Sequence, residues 1–83
     1  MKTIIYFTAP WCAPCKQLSP TMAQLMGEGM SVQKVNVDND TDFTTKYSVR
    51  SVPTLVLVDQ NGTELKRMGG NRSKQEVLNF YNG

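Results

Sequence analysis

Both cysteines of the chain lie in the short segment 11–15, directly after the apolar run Thr3–Thr8. That run is rich in β-branched and aromatic residues, which predicts a buried strand, and residues 16–29 have the spacing of an amphipathic helix. The cysteine pair is therefore predicted at a strand-to-helix junction. Two thiols that are separated by two residues can close a small disulfide and reopen it, so this segment indicates reversible dithiol chemistry.

Cys12 is predicted at the N-terminus of this helix. Unpaired backbone N–H groups and the positive end of the helix dipole stabilise a thiolate at such a position. Stabilising the thiolate lowers the pKa of a thiol, and the thiolate is the reactive form of cysteine. The position of Cys12 therefore favours its reactivity.

The composition narrows the chemistry further. Two cysteines at this spacing can form half of a zinc site, but the chain has no third cysteine and no histidine to complete four ligands. A zinc site would need a dimer that shares four thiolates. The absence of histidine also excludes Cys-His proteases, serine triads and His-ligated metals. We expect no metal and no cofactor in a single chain.

Length and charge indicate one small domain over residues 1–83, because no Gly/Ser-rich or Pro-rich linker interrupts the chain. The net charge is only +2, and the basic residues are scattered, which argues against nucleic-acid binding. No export signal and no membrane span are visible, which predicts a cytoplasmic location. Thiols stay mostly reduced in the cytoplasm, and this favours a catalytic over a structural pair.

Further elements follow the dithiol segment. The first two predicted strands are joined by a helix and should be parallel, whereas the last two are joined by a tight turn and should be antiparallel. The pattern predicts an α/β fold in the order β-α-β-α-β-β-α, with a four-stranded mixed sheet and helices on both faces. The later predicted strands are 32–37, 52–58 and 63–68, and the later helices run from Asp40 or Thr41 to Tyr47 and from the capping-box residue Ser73 onward.

Several spaced motifs resemble the thioredoxin family. The segment Trp-Cys-Ala-Pro-Cys-Lys at residues 11–16 matches the family's Trp-Cys-Gly-Pro-Cys-Lys, with Ala13 in place of glycine. The segment 47–55 is similar to the family's cis-proline segment, and Pro20, Gly69 and the segment 34–38 also match. This resemblance covers about residues 4–81. It implies a minimal thioredoxin fold and a thiol-disulfide oxidoreductase that reduces protein disulfides.

The resemblance implies a role for each residue of the dithiol motif. Cys12 is the exposed nucleophile that attacks a substrate disulfide, and Cys15 then resolves the mixed disulfide. Trp11 covers the site and contacts the substrate. Pro14 starts the helix, where a missing backbone N–H costs no hydrogen bond. Ala13 lies at one of the two positions that tune the redox potential in this family.

A substrate-binding segment is also implied. The peptide bond between Val52 and Pro53 is expected to be cis, so that the backbone of Val52 faces the dithiol and pairs with an extended substrate through β-type hydrogen bonds. Gly69 is expected to leave room on the other side. The implied partners are disulfide-containing proteins and a thioredoxin reductase, and the protein is expected to act as a monomer.

Tyr6 stands where thioredoxins have a buried aspartate, and the lysine partner of that aspartate is retained as Lys34. A phenol is a poor base at neutral pH, so Tyr6 is expected to be a packing residue whose hydroxyl finds a hydrogen bond. Tyr6 and Lys34 are expected to meet on one face of neighbouring strands. Cys15 then loses its proton through water or to Lys34.

Two other functions are compatible with the sequence. The small size, without the N-terminal strand and helix of ordinary thioredoxins, suits a glutaredoxin-like or an oxidising thiol-disulfide oxidoreductase, and it leaves one edge strand uncovered. Alternatively, the domain is a thioredoxin-like accessory subunit that binds a partner without redox turnover, in which case both cysteines and Pro14 are dispensable. An intact dithiol with its proline favours turnover.

Overall fold

The computed structural model describes residues 1–83, and its sheet contains β1 (Thr3–Thr8), β2 (Val32–Asn36), β3 (Thr54–Val58) and β4 (Glu64–Gly69). The strands lie in the order β2-β1-β3-β4, so that β2 and β4 form the edges. Strands β1 and β2 are parallel, whereas β1 pairs with β3, and β3 with β4, in the antiparallel direction. The predicted four-stranded mixed sheet is confirmed.

Three helices connect or follow the strands, namely α1 (Ala13–Gly27), α2 (Thr41–Lys46) and α3 (Lys74–Asn82). The predicted order β-α-β-α-β-β-α is therefore confirmed. No helix in the structure combines the length and the apolar composition that crossing a membrane requires.

Helix α1 begins at Ala13, earlier than predicted. Cys12 is its N-cap, with an extended backbone at φ −89° and ψ 111°. Pro14 lies in the first turn, where its missing N–H removes no intrahelical bond, so the motif itself starts the helix. The chain turns back after the helix at Gly29, whose φ of 101° suits a residue without a side chain.

Strand β3 begins at Thr54, whereas the sequence predicted its start at residue 52. Pro53 has no N–H to donate to a neighbouring strand, and the bond between Val52 and Pro53 is cis, as the resemblance implied. All five residues of β3 are buried, which fits its central position and its continuous apolar sequence.

The core has two layers because alternate residues of β1 point to opposite faces of the sheet. On one face, Ile4 and Tyr6 pack with apolar residues of α1 and α3. On the other face, Ile5 and Phe7 pack with Tyr47 at the end of α2 and with residues of β3. This arrangement places Tyr6 beneath the helix that carries the cysteines.

Side chains cap the two later helices as predicted. The Asp40 carboxylate accepts a hydrogen bond from the backbone N–H of Phe43 at 3.1 Å. In α3, the Ser73 hydroxyl accepts from the N–H of Glu76 at 3.1 Å, and the Glu76 carboxylate accepts from the N–H of Ser73 at 3.0 Å. This backbone hydrogen bond from Ser73, with help from Arg72, holds the pKa of Glu76 below its ordinary value.

Candidate active site

The two cysteines form a disulfide across the start of α1, with their Cα atoms 5.2 Å apart. The backbone N–H of Cys15 donates to the sulfur of Cys12 at 3.2 Å. Cys12 is the N-cap, so its sulfur lies where the first N–H groups of the helix have no backbone partner. In general, the N–H groups and the dipole at a helix N-terminus stabilise negative charge.

The prediction that Cys12 is exposed is wrong for this oxidised state. Only 4% of Cys12 is exposed, against 1% of Cys15. Ala9 and Val52 pack against the cysteine pair, and the sulfur of Cys12 lies 3.6 Å from the carbonyl oxygen of Val52. Sequence position identifies the more N-terminal cysteine, but part of the cover over it comes from Val52, which is distant in the chain.

Trp11, next to the dithiol, is 67% exposed. Its indole N–H donates to the carboxylate of Asp38 at 2.9 Å, and the side chain of Asn36 in turn accepts from the backbone N–H of Asp38 at 2.9 Å. The end of β2 therefore holds the indole in place. Sequence reasoning missed this role of Asp38, although Asp38 lies in the segment that matched the family.

The cis-proline segment lies against the dithiol, as expected. The carbonyl of Val52 faces Cys12, and the carbonyl of Pro53 accepts from the N–H of Gly70 at 3.1 Å. A side chain added at Gly69 would come 3.5 Å from the Pro53 carbonyl oxygen, which is an ordinary contact. The fold itself therefore does not require glycine at residue 69.

The Tyr6 hydroxyl is buried beneath α1 and has two partners. It donates to the carbonyl oxygen of Cys15 at 3.1 Å, and it lies 2.9 Å from the hydroxyl of Ser19. Because the phenol donates its own hydrogen to the Cys15 carbonyl, the Ser19 hydroxyl is the donor in the second hydrogen bond and the phenol oxygen accepts it. Tyr6 is buried and its hydroxyl is hydrogen-bonded, which are the two features that the predicted packing role requires. Ser19 was missed, although its position one helical turn after Cys15 places it on the same face.

Lys34 is the register partner of Tyr6 across the β1–β2 pair, so the two residues lie on neighbouring strands, as the resemblance implied. The two side chains form no hydrogen bond, because the phenol points toward α1 and Lys34 is exposed on the edge strand. Lys34 instead lines an open cavity of about 610 Å³ between α1 and β2. Cys15 and Ser19 line the same cavity. Tyr6 and Lys34 therefore lie at adjacent strand positions, as expected, but their side chains do not bind each other.

The two remaining motif residues, Ala13 and Pro14, are exposed in the first turn of α1. They form part of the outer surface of the motif. Val52 thus contacts the dithiol and shares a cavity with Trp11, while Lys34 and Cys15 line another cavity.

Comparisons with known proteins agree with this geometry. The family model described as thioredoxin matches residues 1–82. A thioredoxin of Mycoplasma genitalium is 41% identical over 81 residues, which cover 95% of this chain and 78% of the relative. A thioredoxin of Bacillus subtilis is 35% identical over 79 residues, which cover 92% and 75% of the two chains.

Solved structures give the same result. A thioredoxin of Fasciola hepatica superposes with a TM-score of 0.87 at 29% identity, over 98% of this chain and 78% of that one. A mutant thioredoxin of Halobacterium salinarum also reaches 0.87, at 30% identity, over 98% and 72% of the two chains. With a family model that spans the chain and a dithiol pair at the start of α1, this protein belongs to the thioredoxin family and is a protein-disulfide oxidoreductase.

Proposed function

We propose that Cys12 is the attacking thiolate and Cys15 the resolving thiol in the reduction of protein disulfides. The observation that carries this assignment is the N–H of Cys15 on the sulfur of Cys12, at 3.2 Å, at the N-cap of α1. Only Cys12 has a backbone donor and a helix N-terminus at its sulfur, so charge is stabilised there.

The reaction has two exchange steps. The Cys12 thiolate attacks one sulfur of the substrate disulfide, forms a mixed disulfide and releases the other substrate sulfur as a thiolate. Cys15 then loses its proton and attacks the Cys12 sulfur, which closes the protein disulfide and releases the second substrate thiolate. Two electrons pass from the protein to the substrate, and the released thiolates take up protons from solvent.

Deprotonation of Cys15 is assigned to the cavity between α1 and β2. The Tyr6 hydroxyl is held by the Cys15 carbonyl and Ser19, so it is poorly placed to take a proton from the thiol. Cys15 and Lys34 both line this cavity, which is large enough for several water molecules. Water in this cavity, with Lys34 at its wall, carries the proton away.

Substrate binding is assigned to the face around Val52. An extended substrate segment pairs with the backbone of Val52, whose carbonyl lies beside Cys12. Trp11 supplies an exposed aromatic contact that Asp38 holds in place. Gly69, where the fold would accept a side chain, keeps the opposite side of this segment open. Ala13 and Pro14 form the outer surface of the motif beside the substrate.

Thioredoxins act on disulfide-containing proteins and are reduced by reductases, and we propose a thioredoxin reductase as the electron donor of this chain. A cytoplasmic location suits a dithiol that must be returned to its reduced form after each turnover. We propose that the protein works as a monomer, since one chain supplies both cysteines and the adjacent Val52 backbone.

The assignment of the two cysteines is tested by trapping. The Cys15→Ser variant should accumulate a mixed disulfide with a protein substrate through Cys12, because no thiol remains to resolve it. The variant is incubated with native insulin, whose disulfides are intact, and mass spectrometry under non-reducing conditions measures the adduct. The matched control is Cys12→Ser, which should form none. An adduct that forms faster in Cys12→Ser than in Cys15→Ser would reverse the assignment.

A further inference from the structure

A second, smaller cavity of about 250 Å³ lies on the same face as the dithiol, beside Trp11. Its apolar wall is formed by three valines, Val37, Val49 and Val52. Arg50 also lines it and is the only charged residue that does so. The cavity thus combines an apolar wall, wide enough for one side chain, with a single guanidinium.

The charge of Arg50 has no partner within the protein. The three salt bridges of the structure involve other residues, and no side-chain hydrogen bond involves Arg50, which is exposed. Asp38, which accepts the indole N–H of Trp11, forms no salt bridge with Arg50. Arg72, which donates to the carbonyl of Gly69, is already paired with a carboxylate of α3.

We propose that this cavity selects protein substrates that carry a glutamate close to the reacting cysteine. The apolar stem of a glutamate would lie against the three valines, and its carboxylate would bind the guanidinium of Arg50, which offers several donors to a carboxylate. Arg50 lies two residues before Val52, so a segment that pairs with the Val52 backbone brings a neighbouring side chain to the cavity. The inference therefore rests on the substrate-binding face proposed above.

An apolar side chain would use only the valines, and aspartate has a stem shorter by one methylene. Glutamine has nearly the same shape as glutamate but no charge for the guanidinium to bind. We therefore expect substrates with glutamate to react faster than those with glutamine. An exposed ion pair of this kind is typically worth about a two- to fivefold difference in rate constant at low ionic strength. Salt should reduce this difference, because the pair is open to solvent.

The test uses a short peptide with one cysteine in a disulfide to a small aromatic thiol. Glutamate is placed in turn at each of the two positions before and after the cysteine, with glutamine at the same position as the reference. The pre-reduced protein is mixed with each peptide, and the second-order rate constant of peptide reduction is measured by acid quench and chromatography. Wild type and the variants Arg50→Gln and Lys46→Gln are compared. Lys46 is the matched control, since its amine lies over the rings of Phe43 and Tyr47 and does not line the cavity.

For at least one position, we expect wild type and Lys46→Gln to reduce the glutamate peptide about two- to fivefold faster than its glutamine counterpart. Arg50→Gln should reduce the two at equal rates, and its rate with the glutamine peptide should match wild type. Equal rates for both peptides at every position in wild type, or a preference that survives in Arg50→Gln, would overturn the inference while leaving the disulfide reductase intact. Failure to reduce any peptide would overturn the proposed function as well.

Discussion

Replacing Tyr6 with phenylalanine separates a packing role of this residue from a chemical one. Tyr6 is only 1% exposed and packs between the sheet and α1, and phenylalanine keeps its ring. The substitution removes only the hydroxyl and its two hydrogen bonds, to the Cys15 carbonyl at 3.1 Å and to Ser19 at 2.9 Å. No cavity larger than one oxygen atom is created.

The expected loss of stability follows from these two bonds. A hydrogen bond contributes about 0.5–1.5 kcal/mol net to stability. Ser19 borders the open cavity, where water can replace the lost partner of its hydroxyl. The bond to Ser19 therefore contributes a free energy at the low end of this range. Together they predict a loss of about 1–2 kcal/mol, or about 4–16 °C in Tm for a domain of this size.

Turnover, by contrast, should change little. A positioned group that transfers a proton contributes about a hundredfold or more in rate, whereas loss of a positioning contact changes the rate by a few fold. We therefore expect Tyr6→Phe to slow the dithiothreitol-dependent reduction of insulin by only a few fold. Insulin turbidity gives the rate, and thermal unfolding followed by circular dichroism gives the Tm of the same preparation.

Ser19→Ala is the matched control. It removes one of the two hydrogen bonds and leaves the phenol on Cys15, while alanine has a higher helix propensity by about 0.5 kcal/mol. Its stability should therefore lie close to wild type and above Tyr6→Phe. A loss of about a hundredfold in the activity of folded Tyr6→Phe would refute the packing role and place the phenol in the chemistry. An unchanged Tm would refute the assignment of two stabilising bonds to the hydroxyl.

Two further predictions concern β4. Hydrogen bonds from Arg67, at 2.6 Å, hold the pKa of Glu64 below its ordinary value of 4.5, so the pair stabilises the fold fully above pH 4.5 and loses this effect as the pH falls through the lowered pKa. Because the two side chains are 33% and 37% exposed, the effect stays below about 1 kcal/mol. In urea unfolding, Glu64→Gln should therefore have a lower free energy of unfolding than wild type at pH 7 but not near pH 2. An equal loss at both pH values would contradict the linkage. Gly69→Ala should keep the Tm within about 3 °C but lower kcat/KM for insulin several fold, because the added methyl contacts only Pro53 within the fold and narrows the substrate face. Gly27→Ala, with no atom within 4 Å of the added methyl, is its control, and equal activity of the two variants would remove Gly69 from the substrate face.

The sheet could be predicted from the sequence because its signals are local. The continuous apolar run of β3 indicates a central strand, and the tight turn after it fixes an antiparallel partner. The order and direction of the strands follow from the connections between them. The sequence placed Cys12 at the N-terminus of α1 but began the helix at residue 16. The dithiol motif itself forms the N-cap and the first turn, and hydrophobic spacing does not mark these residues as helical.

The site could be predicted in part. The cysteine pair is visible at once, and the cis-proline segment follows from its likeness to a family. The burial of Cys12 depends on contacts with Val52, which is distant in the sequence, and no local pattern encodes such a contact. Likewise, two hydrogen bonds depend on tertiary placement. The bond from Trp11 to Asp38 depends on where β2 ends beside β1, and the bond between Tyr6 and Ser19 depends on which face of α1 packs on the sheet.

Tyr6 also bears on how the resolving step depends on pH. A buried carboxylate next to Cys15 would change charge as it titrates, and its charge would act on the thiol through a low-dielectric interior. The Tyr6 hydroxyl sits in that position, with its proton on the Cys15 carbonyl, and it brings no negative charge there. Loss of the thiol proton is therefore not opposed by a neighbouring anion. By the proposal made above, the proton leaves through the cavity that Lys34 and Cys15 line.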